Sequence, residues 1–198
     1  ALCVESNQRC RETLKTNRPD WSLAEPGDIS LLSPQATLSQ AGLQPGEATL
    51  LAGGPPCQPF SHSGSWANGG GKRLKDPRAK TFFALLDLVE HALPEVVLIE
   101  NVRGLVFRNK DEAWDLIQRS FEKINKLAGT SYKPVALKLN AARYGVPQLR
   151  ERVFIVAHRN GGRLEEPSPT HFDPSSILEE DGKQAYHTNH VISRIKAE

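Results

Sequence analysis

Short apolar runs alternate with stretches in which apolar residues recur at helical spacing. That alternation predicts an α/β chain built on a mostly parallel sheet. Residues 1–4 read as an opening strand and 7–16 as a helix. Pro26-Gly27-Asp28-Ile29 reads as a turn at the end of a weak strand, and Thr49–Ala52 as a further strand. In residues 81–93 the spacing of Phe82, Leu85, Leu86 and Val89 predicts a helix. Residues 95–99 carry the unbroken apolar pattern of a strand buried on both faces. A second helix is predicted over 112–127, with Trp114, Ile117, Phe121 and Ile124 on one face. Residues 135–139 and 153–157 supply the last two strands. Between Gly53 and Lys80 lies a long glycine-bearing stretch, and such a loop inside a compact domain is usually functional. After Asn160 the chain turns rich in proline, serine and glycine and reads as an exit linker.

In open α/β sheets, ligands bind past the carboxyl ends of the strands. Glu5, Asp28, Cys57 and Glu100 are each expected just past such an end, so they should share one rim. Adjacent strands lie about 4.8 Å apart, so Cys57 and Glu100 can meet one small substrate if their strands are neighbours.

Composition narrows the picture only slightly. The 198 residues, 38% hydrophobic and 24% charged, suffice for one domain with a real core. No apolar run is long enough to cross a membrane, and no signal peptide is visible. Three cysteines (Cys3, Cys10, Cys57) do not form an even disulfide set, as expected in a reducing compartment. A net charge of +2 does not by itself argue for nucleic acid. Locally, Lys72, Arg73, Lys75, Arg78 and Lys80 gather around a single acid, Asp76. No methionine is present, even at position 1, which fits a fragment.

Three motifs carry candidate chemistry. Cys57 follows a strand, a Gly-Gly pair and two prolines. A buried cysteine packed as a small hydrophobe needs no such scaffold, whereas a nucleophilic thiolate does. Glu100 ends an apolar strand, where a carboxyl can hold or donate a proton, and the Asn101 amide beside it can fix the neighbouring loop. Arg150 and Arg152, at spacing i, i+2 entering a strand, are expected on one face, suited to an anion or a base edge. The alternative is that one of them pairs with Glu151 or Glu100. Glu5 and Asp28 are weaker candidates for ribose hydroxyls and an adenine amino group.

In this order, Glu5, Gly27-Asp28-Ile29, Gly54-Pro55-Pro56-Cys57-Gln58-Pro59-Phe60-Ser61, Glu100-Asn101-Val102 and Gln148-Leu149-Arg150-Glu151-Arg152 resemble the DNA (cytosine-5)-methyltransferases, bacterial ones most closely. Asp76-Pro77-Arg78 and Tyr144-Gly145-Val146-Pro147-Gln148 fit the same pattern, and the likeness runs from residue 1 to about 171. The resemblance implies a Rossmann-like S-adenosylmethionine-dependent methyltransferase fold, with a mostly parallel sheet and an antiparallel last strand. It implies a catalytic domain over 1–160, with 161–198 as linker and start of a target-recognition region. It makes Cys57 the nucleophile at C6 of a flipped-out cytosine. Glu100 would hold N3 and the exocyclic amine, Arg152 the base carbonyl, and Arg150 would support it. Glu5, Asp28, Ile29 and Pro56 become the S-adenosylmethionine site. Gln58, Ser61, Ser63 and Arg73 become contacts to double-stranded DNA. No metal is implied. The implied setting is the bacterial cytoplasm, on nucleoid DNA, in a restriction-modification or orphan modification system. The enzyme would be a monomer, or pair with a complementary chain if it is split.

The chain departs from that pattern in two places. The family's first glycine-rich motif and its C-terminal motifs are absent, and Leu149 stands where the family often has arginine. Three other readings stay open: a transfer-RNA cytosine methyltransferase, a catalytically inactive DNA-binding relative, and a cysteine hydrolase using Cys57 with His62 as base.

Overall fold

A computed structural model describes residues 1–56, 80–106, 112–162 and 164–171. Cys57, Gln58, Ser61, His62, Ser63 and Arg73, with the rest of the loop through residue 79, lie outside the described residues. So does the region from 172 onward.

Among the described residues, six strands form two sheets. Strands β1 (Leu2–Cys3) and β2 (Ser22–Leu23) pair in parallel, joined through helix α1 (Gln8–Asn17). The larger sheet has the order β3-β4-β6-β5, from β3 (Leu50–Gly53), β4 (Val96–Asn101), β5 (Val135–Asn140) and β6 (Glu151–His158). β3 and β4 are parallel neighbours, with Gly53 opposite Ile99. β6 runs antiparallel to both β4 and β5, so the last strand is the reversed one, as expected.

Local chemistry explains the helix ends. Asn7 caps α1, its side chain accepting from the Arg9 and Cys10 amides. Helix α2 (Pro34–Ala41) starts with a Ser33 cap and a proline in its first turn, and stops at Gly42 in the left-handed region (φ 68°). The apolar pattern did not predict α2, because it buries only Thr37 and Leu38; its serine, proline and glycine punctuation is the signal that marks it. Helices α3 (Lys80–Ala92) and α4 (Glu112–Ala128) fall where their periodicity places them.

One core joins Phe82, Leu85, Leu86 and Val89 of α3 to Ile117, Phe121 and Ile124 of α4, and to Val97, Ile99, Val153, Ile155 and Ala157 of the sheet. Full burial of each large side chain contributes about 1.5–3 kcal/mol. Two expectations about β4 need correction. Its residues alternate between half-buried and buried instead of being buried on both faces. Glu100 also lies within the strand instead of past its end, because pairing with β6 continues through Asn101. The alternation follows from position: Val97, Ile99 and Asn101 turn to the interior while Glu100 turns toward the rim.

Within the segment after β6, residues 167–171 contact the turn that follows β5. The backbone amides of Thr170 and His171 donate to the Arg143 carbonyl, and Tyr144 Oη donates to the Pro167 carbonyl. His171 packs over Gly145, whose φ of 87° and bare Cα make room for the imidazole.

Candidate active site

The register of the large sheet builds the site. Glu100 lies opposite Phe154, so Arg152 is its diagonal neighbour on the same face of β6. The two side chains meet, with Arg152 Nε 2.9 Å from Glu100 Oε1. Both are only partly exposed, 26% and 38%. Arg152 Nη1 also donates to the Glu151 carbonyl (2.8 Å), which fixes the plane of the guanidinium. Glu151 itself pairs with Arg103 (2.7 Å). Of the two pairings open to the arginines in the sequence, the one with Glu100 forms.

Arg150 does not share that arrangement. It precedes β6, is exposed, and its carbonyl accepts from the Ala141 amide. Strand alternation starts at Glu151, so the expected common face of Arg150 and Arg152 is not set by the strand.

The chain leading to Cys57 is pinned against this pair. Asn101, 2% exposed at the end of β4, donates from Nδ2 to the buried Pro55 carbonyl at 3.2 Å. Its Oδ1 accepts from the Val102 amide at 2.9 Å. One amide side chain thus ties the loop after β3 to the end of β4, as its position predicted. Gly54 lies beside the carboxylate: a Cβ there would stand 3.4 Å from Glu100 Oε2, in ordinary van der Waals contact.

A cavity of about 980 Å³ opens between the small sheet and β3. Glu5, Asp28, Ile29 and Pro56 all line it, as does the chain from Thr49 to Pro55. Of the four residues expected on one rim, Glu5 and Asp28 line this cavity, Glu100 does not, and Cys57 lies outside the described residues. Each acid has one oxygen engaged locally. Glu5 Oε1 accepts from the Asn7 amide at 2.6 Å, and Asp28 Oδ1 accepts from the Ser30 amide and hydroxyl, both at 2.8 Å. The second oxygen of each has no hydrogen bond among the described residues. Ile29, Leu38 and Leu51 add an apolar wall. Among the described residues, no group of three or more His, Cys, Asp or Glu side chains gathers as metal ligands would. No described helix is long and apolar enough to cross a membrane.

Residue-type reasoning did not anticipate Arg11. It is the buried residue of α1, and its guanidinium reaches the ends of both strands of the small sheet. The available signal was an arginine three residues before Leu14, on the inward side of a short polar helix.

Comparison with known proteins places this geometry. A family profile described as C-5 cytosine-specific DNA methylase matches residues 1–198. The chain is 39% identical over 188 residues to the Type II methyltransferase M.AquIA of Picosynechococcus sp., covering 93% of the chain and 73% of that protein. It is 36% identical to the Type II methyltransferase M.SacI of Streptomyces achromogenes over 86% of the chain, but only 42% of that protein. Among solved structures, the Entamoeba histolytica methyltransferase EhMeth superposes with a TM-score of 0.64 at 18% identity, over 91% of the chain and 52% of the other. Spodoptera frugiperda DNMT2 gives 0.55 at 24% identity, over 91% and 52%. At these identities the solved structures speak for the fold: α/β and Rossmann-like, with a mixed sheet.

Proposed function

This chain belongs to the C-5 cytosine-specific DNA methylase family, and from that premise we propose that it carries the catalytic region of a bacterial DNA cytosine-5 methyltransferase of restriction-modification type. The observation that carries the reading is the Glu100–Arg152 pair, seated under the Gly54-Pro55 segment that leads directly into Cys57.

The chemistry follows from the substrate. C5 of cytosine is a poor nucleophile, and a stacked base is out of reach, so the base is flipped out of the duplex. The Cys57 thiolate adds to C6, and the electron pair moves onto the ring, making C5 nucleophilic. The Glu100 carboxyl hydrogen-bonds N3 and the exocyclic amine, opposing the negative charge that develops at N3. Arg152, held by Glu100, directs its guanidinium to the base carbonyl oxygen. S-adenosylmethionine, when bound, supplies the electrophilic methyl group. Glu5, Asp28, Ile29 and Pro56 would hold that donor, whose methyl group C5 would take. A base then removes the C5 proton, the C5–C6 double bond re-forms, and Cys57 leaves as thiolate.

The large cavity fits that donor. The free oxygens of Glu5 and Asp28 suit ribose hydroxyls and an adenine amino group, and Ile29 offers an apolar face to the purine. Pro56 carries the wall toward Cys57. Gln58, Ser61, Ser63 and Arg73 are proposed DNA contacts. Residues 1–160 would form the catalytic part, and 161–198 would lead toward the element that selects the DNA sequence. On this reading the enzyme acts on double-stranded DNA in the bacterial cytoplasm.

The test uses the full-length protein with labelled S-adenosylmethionine, duplex DNA and transfer RNA. Label should enter DNA; label in transfer RNA alone would overturn the substrate. Duplex DNA bearing 5-fluorocytosine, which blocks the elimination, should trap a covalent complex. Cys57→Ser should abolish that complex, and its persistence would remove Cys57 as nucleophile.

A further inference from the structure

Arg11 is one of the few polar or charged side chains buried among the described residues, at 6% exposure. A guanidinium stays charged at every physiological pH, so burying it demands partners. It has three. Nη1 donates to the Glu5 carbonyl and to the Ala24 carbonyl, each at 3.0 Å, and Nη2 pairs with the Glu25 carboxylate. Glu5 follows the end of β1, Ala24 follows the end of β2, and Glu25 begins the turn that brings Asp28 to the cavity.

The small sheet is short, and besides Arg11 the described residues hold its exit through the Ala24 amide, which donates to the Cys3 carbonyl, and through the Gln40 side chain, which bonds the Glu25 amide and carbonyl. Each of its strands is two residues long. Gly27 closes the arrangement: a Cβ there would strike the Glu5 carbonyl oxygen and lie 2.6 Å from Arg11 Nη1. The turn can reach its position only by packing a bare backbone against the guanidinium.

We infer that Arg11 is the positioning residue of the cofactor site, a clamp that sets the spacing and direction of Glu5 and Asp28 without touching the cofactor. Its planar, forked donors reach two carbonyls and a carboxylate at once, which a single ammonium point charge does not reproduce. An apolar replacement would fill the volume and leave two carbonyls without donors. The inference rests on the proposed assignment of Glu5 and Asp28 to the cofactor, so its test carries a control for that assignment.

S-adenosylhomocysteine binding to the full-length protein is measured by calorimetry for Arg11→Lys, Arg11→Met, Glu25→Gln and Glu5→Gln. Affinity for duplex DNA is measured in parallel, and near-ultraviolet circular dichroism reports the folded fraction. Arg11→Lys should raise the dissociation constant per folded molecule about tenfold, the equivalent of one charged hydrogen bond. DNA affinity should stay unchanged. Glu25 is 76% exposed, so Glu25→Gln should fold normally and weaken cofactor binding about threefold. If Arg11→Met fails to fold, the lysine and Glu25→Gln variants decide. A lowered unfolding temperature with unchanged cofactor affinity in both would overturn the inference and leave Arg11 purely structural. Wild-type affinity in Glu5→Gln would instead remove the cofactor assignment beneath it.

Discussion

At the scale of single residues, the Glu100–Arg152 pair shows how one side chain prepares another. The pair is half-buried, so its worth lies less in stability than in direction: each group fixes where the other points. Glu100→Gln and Arg152→Met should each lower kcat by about 10²–10³-fold, as removal of one preorganised charge-stabilising donor does elsewhere. Because the two act as a unit, the double variant should lose much less than the product of the single losses in single-turnover assays. Independent, multiplicative losses would mean that the pair is not a functional unit. Gly54→Ala would put a methyl group 3.4 Å from Glu100 Oε2, in ordinary contact, and should leave both kcat and the unfolding midpoint in urea nearly unchanged. The residue types of Cys57, Glu100 and Arg152 were legible in the sequence. The nearness of Gly54 to Glu100 was not, because it depends on the register of neighbouring strands and leaves no local trace.

At the scale of elements, strand ends decide the site. β3 and β4 are parallel neighbours, and β6 enters antiparallel with its first residues beside the last of β4. That combination gathers the Gly54-Pro55 segment, Glu100 and Arg152 at one rim. Asn101 holds the loop there through a buried hydrogen bond. Asn101→Ala would leave the Pro55 carbonyl and the Val102 amide without this partner, at a cost of about 1–3 kcal/mol, measurable by urea denaturation. It should also lower the rate of covalent-complex formation with 5-fluorocytosine DNA. Unchanged stability and unchanged complex formation together would show that Asn101 is not the bolt described. Helix periodicity was legible in α3 and α4, whose apolar stripes face one core. It was not legible in α2, an eight-residue helix defined by its caps instead of by a stripe.

At the scale of the whole molecule, Tyr132 links the two ends of the core. Its ring stacks in a tilted geometry on Phe121, and its hydroxyl donates to the Pro94 carbonyl just before β4. Burial pushes its phenol from 10.0 up to about 12, with the Arg159 charge opposing part of the rise. The fold therefore favours the neutral phenol. That contribution is complete below about pH 10 and is lost as pH rises through about 12. Tyr132→Phe should cost about 1 kcal/mol near neutrality through the missing hydrogen bond. It should also flatten the alkaline decline of stability between those two pH values. An unchanged alkaline limb, followed by circular dichroism against pH, would remove Tyr132 as its source. By itself, the sequence determined most helical and extended segments, the order of the motifs and the residue types proposed to attack, hold and clamp a base, because periodicity and side-chain chemistry are local properties. Only the tertiary structure decided that Arg152 meets Glu100 while Arg150 stays outside the strand, that Gly54 lies beside the carboxylate, and that Arg11 binds two strand ends beside the cavity. Those outcomes depend on sheet register and on contacts between residues distant in the chain, which no local pattern encodes.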